Sequence, residues 1–437
     1  MAERRVFVLG LDGVPWTLAR RFADEGVMPN LGRLLGGGGA AQIDSVYPTV
    51  SNVAWSCFQT GKNPGRFDIF GFAEIDRRLQ LRLPNGEHLL SETIEQVVSA
   101  AGGRVISLGL PSGHPPRAIN GLMVGGFLAP SLERTVHPPG RLEELRRLGW
   151  QLDVDPVRAR TDRDYLQRAA MELLAGRRRT ADAMLAEPWD LFLLHVMETD
   201  RVNHFLWGQW ADGGPAAAFF RDFYRGVDDW LGRLDAALGD DVTLIVLSDH
   251  GFCRITAEVQ LNRWLRREGC LWTAGPPERM FQAVAPPSRA VSLVPGRVHL
   301  LRREAFDVGT LEPDEAAALR DELADKLRRW TDPASGAAVC ARLLRREETF
   351  AGPYVHHAPD LLIDPADGYD LKAALSDGEL FDHSPLEGMH TYRDAMLCIR
   401  GRAVTPERRG ITDVTRSILD LLGVPAGGDL DSRGVLA

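Results

Sequence analysis

The chain has 437 residues, 44% of them hydrophobic and 25% charged, which fits a globular protein long enough for one large domain carrying a smaller one. Its formal charge of −9 argues against a surface that coats nucleic acid, although bound cations can reverse the potential of a cleft that takes a phosphorylated ligand. Five scattered cysteines (Cys57, Cys253, Cys270, Cys340, Cys398) without CxxC spacing argue against a disulfide framework or a thiolate zinc site.

In chain order, RVFVLGLDG (5–13) is a short apolar run entering a glycine turn, a buried strand rather than a secretory signal. MPNLGRLLGG comes next as a helix with a glycine stop. VYPTVSNVAWSCFQTGKNPG then passes from an extended PTV stretch into an apolar helical run, with Ser51 at or near its start. An irregular stretch at 66–100 reads as a small insertion bordering the site. RVISLGLP (104–111), DLFLLHVMETD (190–200), VTLIVLSDHG (242–251) and AMLCIRG (395–401) are further strands, with helices expected at 163–186 and 219–238.

Residues 255–350 differ in character. VQLNRWLRREG suggests a helix, the Pro-rich PPERMFQAVAPPSRA is irregular, and VSLVPGRVHLLRRE suggests short strands. LEPDEAAALRDELADKLRRW is an amphipathic helix with an acidic first turn. This block is expected to form an inserted cap or side module, leaving 1–254 and 351–437 as the core. Near-continuous apolar strands alternating with helices predict an α/β, doubly wound, mostly parallel sheet with inserted cap segments. No stretch approaches the roughly 20 apolar residues of a membrane span, so no membrane partner is expected and the cytoplasm is the expected location.

In such sheets ligands sit beyond the carboxyl ends of the strands. Asp12, Asp200, Asp249 and His250 all fall there. Each acid alone could be a turn or helix-capping residue, but together they gather potential metal ligands on one sheet edge. His204 follows Asp200 by four residues, one helical turn, and His390 stands just before the last strand. His195, inside a strand, and His299 are read as structural. Ser51 has two readings: a plain helix cap, or a hydroxyl beside which helix amides favour a phosphoryl group. The spacing of an acyl-transfer triad is absent, as is the C/S-x-P-x-R context of a sulfatase.

LGLDGVPW with MPNL, PTVSNVAWSCFQTGKNPG, ETDRVNH, LSDHG and GMH, in that order from residue 5 to about 401, closely resemble the type I phosphodiesterase/nucleotide pyrophosphatase branch of the alkaline phosphatase superfamily. The resemblance implies that Asp12, Ser51, Asp249 and His250 hold one divalent metal, with Ser51 as nucleophile. Asp200, His204 and His390 would hold a second. Zinc is the common metal of the family, with manganese in some members. The implied reaction cleaves a phosphodiester or pyrophosphate bond of a small phosphorylated molecule through a phosphoseryl intermediate.

The chain departs from the branch in carrying serine for threonine as nucleophile. It also has Ala54 where an asparagine binds a phosphate oxygen, and Trp55 where histidine is common. Asn52 and Lys62 are the remaining candidates for substrate contact. A phosphomonoesterase, phosphonate hydrolase or phosphoryl transferase would use the same ligands, and an idle binding protein is a further alternative. The sequence carries no signal for oligomeric state.

Overall fold

A computed structural model gives the fold and describes residues 5–275 and 277–437. Residues 1–4 and 276, hence the start of the Pro-rich stretch, lie outside the described residues. The chain divides into two compact units: 1–63, 85–253 and 385–437 form the first, 64–84 and 254–384 the second.

The first unit is built on eight strands, β1 (Arg5–Leu11), β2 (Ala40–Asp44), β3 (Val105–Leu108), β4 (Gly121–Val124), β5 (Val136–His137), β6 (Leu191–Val196), β7 (Val242–Leu247) and β8 (Arg393–Ile399). They form one sheet in the order β2-β8-β7-β1-β6-β3-β4-β5. β7, β1, β6, β3 and β4 run parallel, while β8 and β5 are antiparallel to their neighbours. The alternation of side chains explains why these strands read as unbroken apolar runs. Phe7, Leu9 and Leu11 of β1 join the core on one face, and Val6 and Val8 join the core on the other. Both faces are covered, so every position from Val6 to Leu11 is buried.

Four helices carry or brace the cluster of predicted ligands: α1 (Ser51–Thr60), α2 (Arg163–Leu185), α3 (Glu198–Ala211) and α4 (Ala217–Ala237). All ten residues of α1 are buried, which accounts for its lack of a polar face in sequence. α2 and α4 fill the ranges expected for helices at 163–186 and 219–238.

The second unit has its own apolar core and a four-stranded sheet in the order Ala290–Leu293, Arg297–Leu300, Leu361–Pro365, Cys340–Arg345. The amphipathic helix runs over Pro313–Arg328, opened by a capping box of Glu312 with Glu315, and buries Ala316, Leu319, Leu323 and Leu327. This unit begins one residue before position 255 and extends past 350, to residue 384. The reason is pairing: Leu361–Pro365 lies between two strands of its sheet, and Tyr369–Lys372 pairs with Ala257–Gln260. Only 66–84 of the expected 66–100 insertion belongs to it, because Ile94–Ala100 is a helix of the first unit. No described helix is long and apolar enough to cross a membrane.

Candidate metal centre

Strand register builds the site. β1 pairs with β7 at Gly10 and Leu247, so two residues further on Asp12 stands across from Asp249. On the other side β1 pairs with β6 at Leu11 and Val196, and the chain turns at once into α3, which carries Asp200 in its first turn and His204 one turn later. Gly13 makes the turn after Asp12 with φ of +65°, a backbone that favours glycine. Its amide donates to Asp249 Oδ1 at 3.0 Å. His390 arrives on the short strand Gly388–Thr391, paired with Gly251–Arg254, which directly follows His250.

These elements bring seven predicted residues together. Ser51 Oγ lies 3.1 Å from Asp12 Oδ1 and 3.3 Å from His250 Nε2. His250 Nε2 is 3.3 Å from Asp249 Oδ2 and 3.5 Å from Asp12 Oδ1. On the other side, His390 Nε2 is 3.1 Å from Asp200 Oδ1 and 3.0 Å from His204 Nε2, and His204 Nε2 is 3.4 Å from Asp200 Oδ1. His250 faces both groups, its ring stacked on that of His390 at 3.7 Å.

The three imidazoles are oriented alike. His204 Nδ1 donates to the Gly388 carbonyl, His390 Nδ1 to that of Thr49 and His250 Nδ1 to that of Gly251. Each Nε2 thereby faces the cluster, where it would ligate a cation once its proton is displaced. Asp249 Oδ2, fully buried, accepts no hydrogen bond. An orphaned carboxylate oxygen and nitrogens facing one another across 3.0 Å fit divalent cations held by nitrogen and oxygen donors.

The charges are strongly coupled. Burial pushes the Asp249 carboxyl up to about 7, aided by the charge of Asp12. Burial also opposes ionisation of Asp12, but hydrogen bonds from His195 and His250 outweigh it and hold that carboxyl well below the usual range. For Asp200, burial acts upward and is overcome by His204 and His390, leaving it at about 2. Burial disfavours a charged His250, yet Asp249 and Asp12 raise it to about 9; burial and the neighbouring His250 bring His390 down to about 4.

Ser51 is the first residue of α1, and the N-cap position falls to Val50, whose backbone is extended. The Ser51 hydroxyl therefore turns to Asp12 and His250, which removes the reading of a plain helix cap. Asn52 is buried in the same turn, and its Oδ1 accepts from the Ser112 hydroxyl. Lys62 is not brought to the cluster. It follows the far end of α1, about 15 Å along the helix from Ser51, and its ammonium pairs with Asp429.

The structure adds residues that sequence reasoning misses. His195 is not merely a strand filler: its Nε2 lies 2.6 Å from Asp12 Oδ2, and its Nδ1 donates to the Gly109 carbonyl at 2.9 Å. Trp55 Nε1 donates to the same Oδ2 at 2.9 Å. The available signal is Gly10, since a methyl there would collide with the Trp55 ring. Arg201 flanks Asp200 at 3.4 Å while bonded to Asp153 at 2.6 Å. Arg177, from α2, meets Glu198 at 3.0 Å in a fully buried ion pair that ties down the start of α3.

Several solved structures share this fold. Phosphonoacetate hydrolase from Sinorhizobium meliloti 1021, in complex with phosphonoformate, superposes with a TM-score of 0.65 at 16% identity over 96% of each chain. Murine ectonucleotide pyrophosphatase/phosphodiesterase 5 gives 0.59 at 16% identity over 99% of this chain and 97% of that one. Wild-type alkaline phosphatase PafA gives 0.60 at 15% identity over 100% of both. A search of curated protein sequences gives no match. The sequence itself matches the family model for type I phosphodiesterase/nucleotide pyrophosphatase over residues 6–393, from β1 to the start of β8, and the chain belongs to that family.

Proposed function

We propose that this protein is a two-metal hydrolase that cleaves a phosphodiester or pyrophosphate bond in a small phosphorylated molecule, with Ser51 as nucleophile. The observation that carries the reading is the common orientation of His204, His250 and His390, each with Nδ1 on a backbone carbonyl and Nε2 turned into the cluster. Asp12, Ser51, Asp249 and His250 would hold one cation and Asp200, His204 and His390 the other. When bound, zinc or manganese would favour the ionised Ser51 hydroxyl and neutralise charge on the phosphoryl oxygens.

The chain's own residues do the rest. Asp12 and His250 fix the Ser51 hydroxyl at the start of α1, where helix amides and the helix dipole favour an incoming phosphoryl group. Ser51 Oγ forms the new bond to phosphorus as the bond to the leaving oxygen opposite breaks. Water then hydrolyses the phosphoserine and restores the hydroxyl. His195 and Trp55 hold Asp12 in place throughout, and the Arg177–Glu198 pair steadies α3.

A phosphonate or phosphomonoester substrate is the second reading. The fold of phosphonoacetate hydrolase matches over nearly the whole chain, and Ala54 supplies no polar group for a phosphate oxygen. A cytoplasmic location accords with five cysteines that are all free. The test is turnover of an aryl phosphodiester by Ser51→Ala and His204→Ala, each expected to abolish it in a folded protein; undiminished turnover in either overturns the mechanism. Matched mono- and diester substrates separate the two readings.

A further inference from the structure

The second unit has an open-mouthed cavity of about 540 Å³ among its own residues, within the range of small-molecule sites. Three separated segments build its wall, within 74–82, 299–306 and 346–358. Some of the lining charges are already engaged. Arg77 pairs with Asp307 and donates to the Glu304 carbonyl, and Asp76 turns back on the amides of Arg78 and Gln80.

Other lining groups are not. His299 is only 5% exposed, yet its Nε2 has no hydrogen-bond partner. Burial and the guanidiniums of Arg297, Arg346 and Arg302 hold this ring well below the ordinary histidine range, so it is neutral. Arg346, equally buried, places one nitrogen on Asp360 at 2.8 Å and leaves Nε unmatched. The Arg82 side chain makes no hydrogen bond or close ion pair among the described residues, although its charge acts on Glu74, its neighbour across the strand pair. The apolar part of the wall includes Phe306, whose ring meets His299 edge-on at 6.4 Å, and Ile75. Unmatched buried nitrogens are costly and become satisfied when a ligand supplies acceptors. Guanidiniums from different segments suit a tetrahedral oxyanion, and a flat ring suits the Phe306 side.

We propose that this cavity is a second ligand site that takes a small aromatic phosphate or phosphonate. Its oxyanion meets Arg82 and Arg346, its ring packs on Phe306, and His299 Nε2 completes the hydrogen bonding. The site goes beyond the reaction assigned to Ser51 and does not depend on it.

Calorimetric titration of the full chain with phenylphosphonate tests this. The expected result is a saturable component that survives His204→Ala, weakens at least tenfold in Arg82→Ala, and disappears in His299→Leu. His299→Leu should also raise the Tm of the unliganded protein, because it removes the unmatched nitrogen. Arg82 is half-exposed and its side chain makes no close ion pair, so its replacement leaves folding intact. An unchanged Kd in both Arg82→Ala and His299→Leu overturns the site, as does the absence of any component once His204 is replaced. Benzoate binding as tightly as phenylphosphonate overturns the choice of ligand. Failure of the Ser51 mechanism would show in turnover and leave this titration untouched.

Discussion

At the carboxyl edge of β7, β1 and β6 the unmatched buried atom is an acceptor, Asp249 Oδ2, ringed by imidazole nitrogens and carboxylates. In the cavity wall of the second unit the unmatched atoms are nitrogens of His299, Arg302 and Arg346. The sign of what is left over is what the two proposals rest on: a cation at the first place, an anion at the second. They also differ in support. Asp12 alone is held by His195, Trp55, Ser51 and, through its backbone carbonyl, Thr199, whereas Arg346 has one close ion-pair partner.

The sharpest way to break this contrast is Asp249→Asn, which keeps the shape of the orphaned group but removes its charge. It should lower kcat/KM by at least about 10⁴-fold, as loss of a member of a catalytic unit does, with a matching loss of bound metal on elemental analysis. In the second unit, Arg346→Met leaves Asp360 buried beside a weaker partner, Arg302 at 3.4 Å. It should cost about 3–5 kcal/mol in urea unfolding. A cost near zero would mean that the wall is already satisfied.

Smaller effects probe the support. His195→Leu should reduce metal affinity or activity about 10–100-fold without unfolding the chain, as groups that orient a ligand do; circular dichroism and metal titration together check this. Lys62→Ala should leave kcat/KM unchanged and cost at most about 1 kcal/mol of stability, because its ammonium serves Asp429 rather than the cluster. A large rise in KM would restore Lys62 as a substrate contact.

What can be read from the sequence obeys the same division. β1, β6 and β7 are buried on both faces, so their apolar runs are plain, and parallel strands carry Asp12, Asp200 and Asp249 to one edge. The role of His195 depends on β6 lying beside β1, where it pairs with Gly10 on the face that also carries Asp12. Strand order is not written in a local pattern, so an apolar strand histidine reads as structural. Ser51 lies at a helix start either way, and only the approach of Asp12 and His250 separates it from a plain cap. The cavity is hidden for a further reason, since one segment of its wall lies more than two hundred residues before the other two, and none has a repeating pattern.

The central claim, two cations beside a nucleophilic Ser51, is tested most directly by anomalous diffraction from crystals of the full chain soaked with vanadate. The expected map has one metal peak among Asp12, Asp249 and His250, a second among Asp200, His204 and His390, and vanadium within bonding distance of Ser51 Oγ. A single metal peak, or vanadium bound away from Ser51, would contradict it.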